Sequence, residues 1–234
     1  MTPQKKNSLS CHHCPLSSLC LPSNLNHNET TQFDQLIKER RTIERNQHLF
    51  RINEPFKQVY IVQSGAVKSY SISMEGDEHV NAFHFPLELI GFDGLADETH
   101  QVSAIALEHS VICTLPFEPL LSFASTAPAL QRQLFNMISQ HMVSVFSISS
   151  NSYAETRLAT FLLDLSNRLK KRGRSSSDFK LSMSREDIGN YLGLAAETVS
   201  RLFHGFEKKG ILETNRRTIH LNDFYALRTL SSGS

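Results

Sequence analysis

The sequence predicts an α+β protein in which an antiparallel β-roll comes first, a long helix follows, and a helical domain with a small β-hairpin ends the chain. Short runs rich in Val, Ile, Phe and Tyr, punctuated by turns, fill residues 59–115. An apolar stripe at helical spacing follows Pro128, and a capped helix pair begins at Ser184. Strands and helices are segregated along the chain, so a doubly wound sheet is not expected.

The β-roll is predicted from hairpin signals. The strand-like runs 59–63 and 67–71 are separated by Ser64 and Gly65, a dipeptide typical of tight turns. The residues Glu75, Gly76 and Asp77 mark a second turn. Further strands are predicted at 79–85, 102–107 and 110–115.

A long helix is predicted after Pro128, which fits a first helical turn. Its apolar residues recur three and four positions apart, so they share one face. Such a face can pack on its own sheet, but its place between two candidate domains favours a homodimer interface. The predicted interface residues are Leu130, Leu134, Met137, Ile138, Met142, Val145 and Ile148.

Charge is distributed unevenly along the 234 residues. Residues 1–154 carry ten Lys and Arg against fourteen Asp and Glu, a net charge of −4, whereas residues 155–234 carry fourteen against nine, a net charge of +5. A basic C-terminal region suits a polyanionic partner such as DNA. No run of eighteen apolar residues and no secretory signal is found, so we expect a cytoplasmic protein with no membrane partner.

Residues 184–203 have the spacing of a helix-turn-helix. Ser184 can cap a helix, and Asp187 can reciprocate as in a capping box. Gly189 allows a second helix to cross closely, and Gly193 can adopt the left-handed conformation that turns the chain. An ordinary helical hairpin is the alternative, but the basic domain and the number of compatible positions favour DNA binding. The apolar positions of the pattern are Ile188, Leu192, Leu194, Val199, Leu202 and Phe203.

The second helix of this pair is predicted to enter the major groove by its N-terminal half. Arg201 can donate to guanine O6 and N7, and Glu197 can accept from cytosine N4. A two-stranded wing follows, with Arg216 and Arg217 at a tip that suits phosphates. The predicted DNA-binding residues are Glu197, Thr198, Ser200, Arg201, Arg216 and Arg217.

The four cysteines form a triplet, Cys11, Cys14 and Cys20, and a distant single residue, Cys113, on a predicted strand. In a cytosolic chain, clustered thiolates hold metal more often than they form disulfides. Zinc generally takes paired C-x2-C knuckles and a second pair is missing, whereas a cubane iron–sulfur cluster needs four sulfurs. His12 and His13 could join a mixed zinc site but are interpreted as flanking residues.

At these residues the sequence resembles the FNR proteins of the CRP/FNR superfamily, the oxygen-sensing regulators of anaerobic genes. The resemblance rests on C-x2-C-x5-C with a lone later cysteine and on the E-x-x-S-R of Glu197, Ser200 and Arg201. Residues 64–68, 91–94 and 187–194 are also similar to the corresponding sequences of the family. The likeness extends from Cys11 to about residue 230.

The resemblance implies a non-enzymatic regulator with a [4Fe–4S]²⁺ cluster on Cys11, Cys14, Cys20 and Cys113. In the family, oxygen converts this cluster to [2Fe–2S], and the dimer loosens and leaves its DNA. The cluster-loaded homodimer binds a palindrome resembling TTGAT-N4-ATCAA and touches RNA polymerase. The acidic turn of Gly76, Asp77 and Glu78 resembles an activating surface of the family.

The implied organisation has four parts. These are a cysteine-rich segment at 1–24, a cyclic-nucleotide-binding-like β-roll sensor domain at 25–127, a dimerisation helix at 128–152 and a winged helix-turn-helix DNA-binding domain at 153–234.

Two features depart from the family. Pro15 follows Cys14 where a small polar residue is common, which removes one N–H that could bond to sulfur. Residues 128–154 contain no Asp or Glu, so the charge that weakens the cluster-free dimer in well-known members is missing. We therefore expect the cluster-free protein to dimerise more readily than a typical family member does.

Other functions remain open at this point. A cyclic-nucleotide regulator of the CRP type needs an Arg before Ser or Thr, but Gln101, Val102 and Ser103 supply no arginine, so no cyclic nucleotide is expected. A haem regulator of the same fold would leave the cysteines unexplained. A zinc-stabilised regulator fits the thiols, whereas a redox enzyme would need an acid–base site that does not stand out.

Overall fold

In a computed structural model, which describes residues 10–149 and 153–233, the chain divides into two compact units. One contains the residues up to Asp77 together with Asn81–Ser139, and the other contains Glu78–Val80 together with the residues from Gln140 onward. The predicted α+β layout is confirmed, with antiparallel sheets in the first unit and a mainly helical second unit. None of the described helices is long and apolar enough to cross a membrane.

Within residues 10–149, eight strands form two four-stranded antiparallel sheets with the orders β1-β8-β3-β6 and β2-β7-β4-β5. The strands are β1 (Glu39–Ile43), β2 (His48–Phe50), β3 (Gln58–Ser64), β4 (Val67–Ile72), β5 (Glu78–His84), β6 (Leu89–Ile90), β7 (Ser103–Ala106) and β8 (Ser110–Pro116). The helices are α1 (His27–Leu36), α2 (Phe117–Thr126) and α3 (Pro128–Ser149), with short 3-10 turns at Cys11–His13, Leu21–Asn24 and Phe92–Gly94.

The sheet β1-β8-β3-β6 separates two buried clusters because successive side chains of a strand point to opposite faces. On β3 and β8, Ile61 and Cys113 face one cluster, whereas Tyr60 and Ile112 face the other. The first cluster also receives the cysteine-rich segment and Phe33 of α1. Helix α1 is capped by a reciprocal pair of hydrogen bonds between Asn26 and Glu29.

The residues of the apolar stripe of α3 differ in burial. Leu130 is fully buried in this chain's own core, and Leu134 and Met137 pack against the same cluster. This corrects the interface role predicted for Leu130, because a side chain enclosed by its own unit offers no surface to a second copy. Ile138 is half-buried and Met142 is exposed.

The predicted interface extends to the C-terminal end of α3. The side chains of Val145 and Ile148 lie outside the described residues, as do residues 150–152 of the predicted helix. Phe135, which was not predicted, is 64% exposed on α3.

The second unit contains α4 (Ala154–Lys170), β9 (Asp178–Lys180), α5 (Arg185–Leu192), α6 (Ala196–Lys208), β10 (Leu212–Asn215), β11 (Thr218–Leu221) and α7 (Phe224–Ser231). The prediction of a two-stranded wing was incomplete, because β9 pairs with β11 and makes a sheet of order β10-β11-β9. Strand β9 has only three residues, too few to give a periodic signal after the basic loop.

Candidate metal centre and nucleic-acid interface

The four cysteines meet at one pocket of the first unit. Cys11, Cys14, Cys20 and Cys113 all line it, and its empty space, which includes open solvent, is about 410 Å³. Its other walls are largely apolar and include Phe33. All four thiols are free, and two of them, Cys11 and Cys113, are buried. The fold therefore brings Cys113 to the cysteine triplet, although it lies 93 positions after Cys20 in the sequence.

Local structure fixes each cysteine differently. Cys11 begins the 3-10 turn Cys11–His13, and Cys20 directly precedes the 3-10 turn Leu21–Asn24, which has a proline in its first turn. Cys113 lies in the middle of β8, where it is the register partner of Ile61 on β3. The triplet thus comes from a surface segment of short turns, and the fourth thiol comes from the rigid sheet beneath it.

Side-chain N–H groups point at two of the sulfurs. Arg40 Nη2 lies 3.5 Å from Cys11 Sγ, and Gln63 Nε2 lies 3.8 Å from Cys14 Sγ. Such donors favour a thiolate and are the kind of contact that tunes a metal–sulfur site. Neither residue lies near a cysteine along the chain, so the sequence did not indicate either one.

Burial makes three of the thiols harder to ionise. Burial raises the pKa of Cys20 to about 12 and that of Cys113 to about 11, and burial is also the main reason that the pKa of Cys11 is raised. Arg40 acts in the opposite direction on all three. Because only thiolates bind metal, loading must release protons from this pocket.

The donor set consists of thiols, the ligands that iron–sulfur clusters use. Among the described residues, no three His, Cys, Asp or Glu side chains are gathered closely enough to hold one metal ion. All four cysteines line one pocket, and a [4Fe–4S] group would need one cysteine sulfur for each of its irons. His12 bonds to Thr31 and His13 to Ser10, so both histidines are engaged away from the pocket.

The helix-turn-helix of the second unit has the predicted local geometry. Ser184 and Asp187 form the capping box of α5, and Gly193 ends that helix in the left-handed conformation with φ +63°. At Gly189 an added Cβ would lie 2.5 Å from the carbonyl oxygen of Leu194, so only glycine permits this close turn. Val199 and Phe203 are buried as predicted, whereas Leu202 is only half-buried.

Helix α6 leaves its outer face open. Glu197, Ser200 and Arg201 are exposed and Thr198 is half-buried, so four of the predicted DNA-binding residues lie on the N-terminal half of one helix. The hydroxyl of Ser200 donates to Ala196 O at 2.9 Å, which leaves its oxygen free to accept.

Two basic residues stand at the tip of the wing. Arg216 is exposed and Arg217 is half-buried between β10 and β11. Arg216 has φ +57°, the left-handed conformation of a tight hairpin turn. The wing therefore carries two cationic residues in its turn.

The region that would hold a cyclic nucleotide carries an internal carboxylate. Asp93 accepts the backbone N–H of Gln101 at 2.8 Å and of Val102 at 3.2 Å, and it faces Nδ1 of buried His100 at 3.3 Å. Burial alone would raise the pKa of Asp93, but its bonds to His100 and to the backbone hold it below the usual value. The backbone N–H groups of Gln101 and Val102 are thus bonded to a carboxylate of this chain.

Two family models match the chain. The Crp-like helix-turn-helix domain covers residues 156–230, and the cyclic nucleotide-binding domain covers residues 40–127. The transcriptional activator protein Anr of Pseudomonas protegens is 41% identical over 97% of this chain and 95% of its own. This chain belongs to the CRP/FNR family of transcription regulators. It is a DNA-binding regulator and not an enzyme.

Other relatives of this CRP/FNR regulator agree. Electron transport regulator A of Shewanella oneidensis is 38% identical over 97% of this chain and 92% of its own, and the fumarate and nitrate reduction regulatory protein of Vibrio cholerae gives the same three values. Among solved structures, FixK2 from Bradyrhizobium japonicum has a TM-score of 0.73 and 29% identity, and covers 82% of this chain and 96% of its own. The CRP/FNR regulator is therefore similar in sequence to curated transcription regulators and similar in fold to FixK2.

Proposed function

We propose that this regulator senses oxygen through a [4Fe–4S] cluster held by Cys11, Cys14, Cys20 and Cys113. The observation that carries the proposal is the meeting of all four cysteines at one pocket, although they come from two distant segments. The relatives named as anaerobic regulators and as Anr support the same role. A bound cluster would supply an oxygen-reactive group, and the chain's own contribution is to place four sulfurs and shield them with apolar walls.

Anaerobic purification followed by an absorbance spectrum and metal analysis tests this proposal. We expect a broad iron–sulfur band and about four iron atoms per chain. Cys113→Ser should abolish both, because the sheet then supplies no thiolate. The matched control is Thr114→Ser, since Thr114 is the next residue of β8 and points to the opposite face. A colourless protein with one zinc per chain would contradict the proposal and favour the zinc-stabilised regulator.

The second part of the proposal concerns DNA. A homodimer would place two α6 helices on the halves of a palindrome, with Glu197, Thr198, Ser200 and Arg201 at the bases. Arg216 and Arg217 would bind phosphate from the wing. The exposure of Arg201 and Glu197 on α6 supports this assignment.

The dimer itself is proposed to form along α3. Phe135 and Met142, seven residues apart, leave apolar surface exposed on this helix, 64% and 53% respectively. Large exposed apolar side chains at helical spacing mark interaction surfaces. Ile138, Val145 and Ile148 stay predicted members of the interface, together with the partly packed Leu134 and Met137.

We also propose that the hairpin tip between β4 and β5 contacts RNA polymerase. Glu75, Gly76 and Asp77 are exposed there, and Ser73 fixes the turn through hydrogen bonds to the backbone of Glu75 and Asp77. The next residue, Glu78, belongs to the predicted contact as well. Reversing the charges of Glu75 and Asp77 should impair activation in a transcription assay while DNA affinity stays unchanged. An unaffected promoter would contradict the assignment.

A further inference from the structure

A cationic side chain reaches into the cysteine pocket from strand β1. Arg40 is the register partner of Cys113 across β1 and β8, and it lines the pocket together with the four cysteines. Its Nη2 lies 3.5 Å from Cys11 Sγ. The side chain is only 12% exposed, so its charge acts on the sulfurs with little screening by solvent.

Asp34 of α1 holds this arginine in place. Its Oδ1 lies 2.5 Å from Arg40 Nη2 and also accepts the backbone N–H of Cys11 at 2.9 Å. One carboxylate oxygen therefore ties both the cation and the backbone of a cysteine to the same point. The N-terminal segment, α1 and β1 meet at this contact.

Binding metal changes the charge of the pocket. A cysteine that ligates a metal does so as a thiolate. Four thiolates in a largely apolar pocket repel one another and lack hydration. A fixed guanidinium beside Cys11 and opposite Cys113 offsets that charge, and its N–H groups can bond to sulfur.

We infer that Arg40, oriented by Asp34, is a positioning residue of the metal centre that retains the cluster and sets its potential by hydrogen bonding and positive charge. The inference rests on the proposed cluster. A purely structural role, in which the ion pair only holds α1 against β1, makes a different prediction. Breaking a structural pair lowers the stability of the fold but leaves the electronic properties of a bound cluster unchanged.

Three substitutions separate these roles. Arg40→Gln removes the charge, and Arg40→Lys keeps it while losing the planar fork of donors. The matched control is Arg41→Gln, because Arg41 is the adjacent residue of β1 and its Nη2 donates to Leu49 O at 3.1 Å. All three variants alter one arginine of the same strand.

The full-length proteins are reconstituted anaerobically with ferrous iron and sulfide. Iron retained during a timed anaerobic challenge with a chelator is measured, together with the reduction potential of the bound cluster. We expect Arg40→Gln to lose iron roughly 10-fold faster, the lower end for loss of a contact to a metal ligand. Its potential should fall, because a positive charge beside an anionic centre stabilises the reduced form. Arg40→Lys should recover most of both properties, and Arg41→Gln should match the wild type.

The outcomes distinguish this inference from the proposed function. Wild-type protein that takes up no iron–sulfur cluster overturns both. A loaded wild type with Arg40→Gln equal to it in iron retention and potential overturns only the role of Arg40. If Arg40→Gln and Arg40→Lys lose iron equally fast and their reduction potentials are unchanged, the role of Arg40 is also overturned. That result is the one expected of a purely structural ion pair. If Arg40→Gln fails to fold, the isosteric Asp34→Asn decides, with faster iron loss and a changed potential supporting the inference and wild-type values refuting it.

Discussion

Adding one methyl group at Gly189 should destabilise the DNA-binding unit. A Cβ there would lie 2.5 Å from Leu194 O, 3.3 Å from Ala196 N and 3.4 Å from the carbonyl carbon of Ala195. All three atoms belong to the backbone of the turn that leads into α6, so no flexible side chain can move aside. The turn itself must shift, and with it the start of the helix proposed to read DNA.

The magnitude follows from two opposing effects. Replacing glycine by alanine inside a helix gains about 1 kcal/mol from propensity. Forcing one carbon into a packed site costs typically about 1–3 kcal/mol, and more when the displaced atoms are backbone. At 2.5 Å we expect the clash to win, with a net loss of about 1–2 kcal/mol. For a chain of this size each kcal/mol lowers the Tm by about 2–4 °C.

Gly205 provides a matched control on α6. An added Cβ there meets nothing within 4 Å, so Gly205→Ala should show the propensity gain alone and raise the Tm. Thermal unfolding followed by circular dichroism measures both variants, and fluorescence anisotropy measures their affinity for a palindromic duplex. Gly189→Ala should also lose specific affinity. If Gly189→Ala melted at or above the wild-type temperature, the argument from close approach would be refuted.

Three further predictions concern base reading, association and pH. Arg201→Ala should cost about 1–3 kcal/mol of binding free energy on the palindrome and relax sequence preference. Arg216→Ala should weaken binding to all duplexes alike and flatten the salt dependence of binding. Equal losses of Arg201→Ala on specific and random DNA would contradict base reading by Arg201. In sedimentation of the metal-free protein at micromolar concentration we expect a dimer, which Met142→Asp should dissociate. Leu121→Asp is the control and should leave the dimer intact, since both residues are 53% exposed but only Met142 lies on α3. A wild-type monomer would contradict the interface. The pKa of Asp93 is lowered in the folded protein. Its ionised carboxylate therefore stabilises the fold fully above the unfolded pKa of about 4, and this stabilisation is lost as the pH falls through the folded pKa. Asp93→Asn should therefore cost about 1–3 kcal/mol in urea unfolding at pH 7, with a gap to wild type that narrows in acid, and a constant gap would refute the assignment.

Much of the fold could be predicted because its signals are local. The hairpin turn at Ser64 and Gly65, the capping box of Ser184 and the left-handed turn at Gly193 each depend on residues only a few positions apart. Helix α1 was not predicted, although the capping pair Asn26 and Glu29 was a usable signal. The short strand β9 offered no comparable pattern.

The sequence by itself determined the kind of regulator, through the spacing of the cysteine triplet and of the helix-turn-helix. Only the tertiary structure decided which side chains surround the thiols, because strand register places Arg40 opposite Cys113 and the packing of α1 places Asp34 beside Cys11. It likewise divided the α3 stripe between a buried Leu130 and an exposed Met142. Periodicity defines a face of a helix from near neighbours, whereas what covers that face depends on segments far away in the chain.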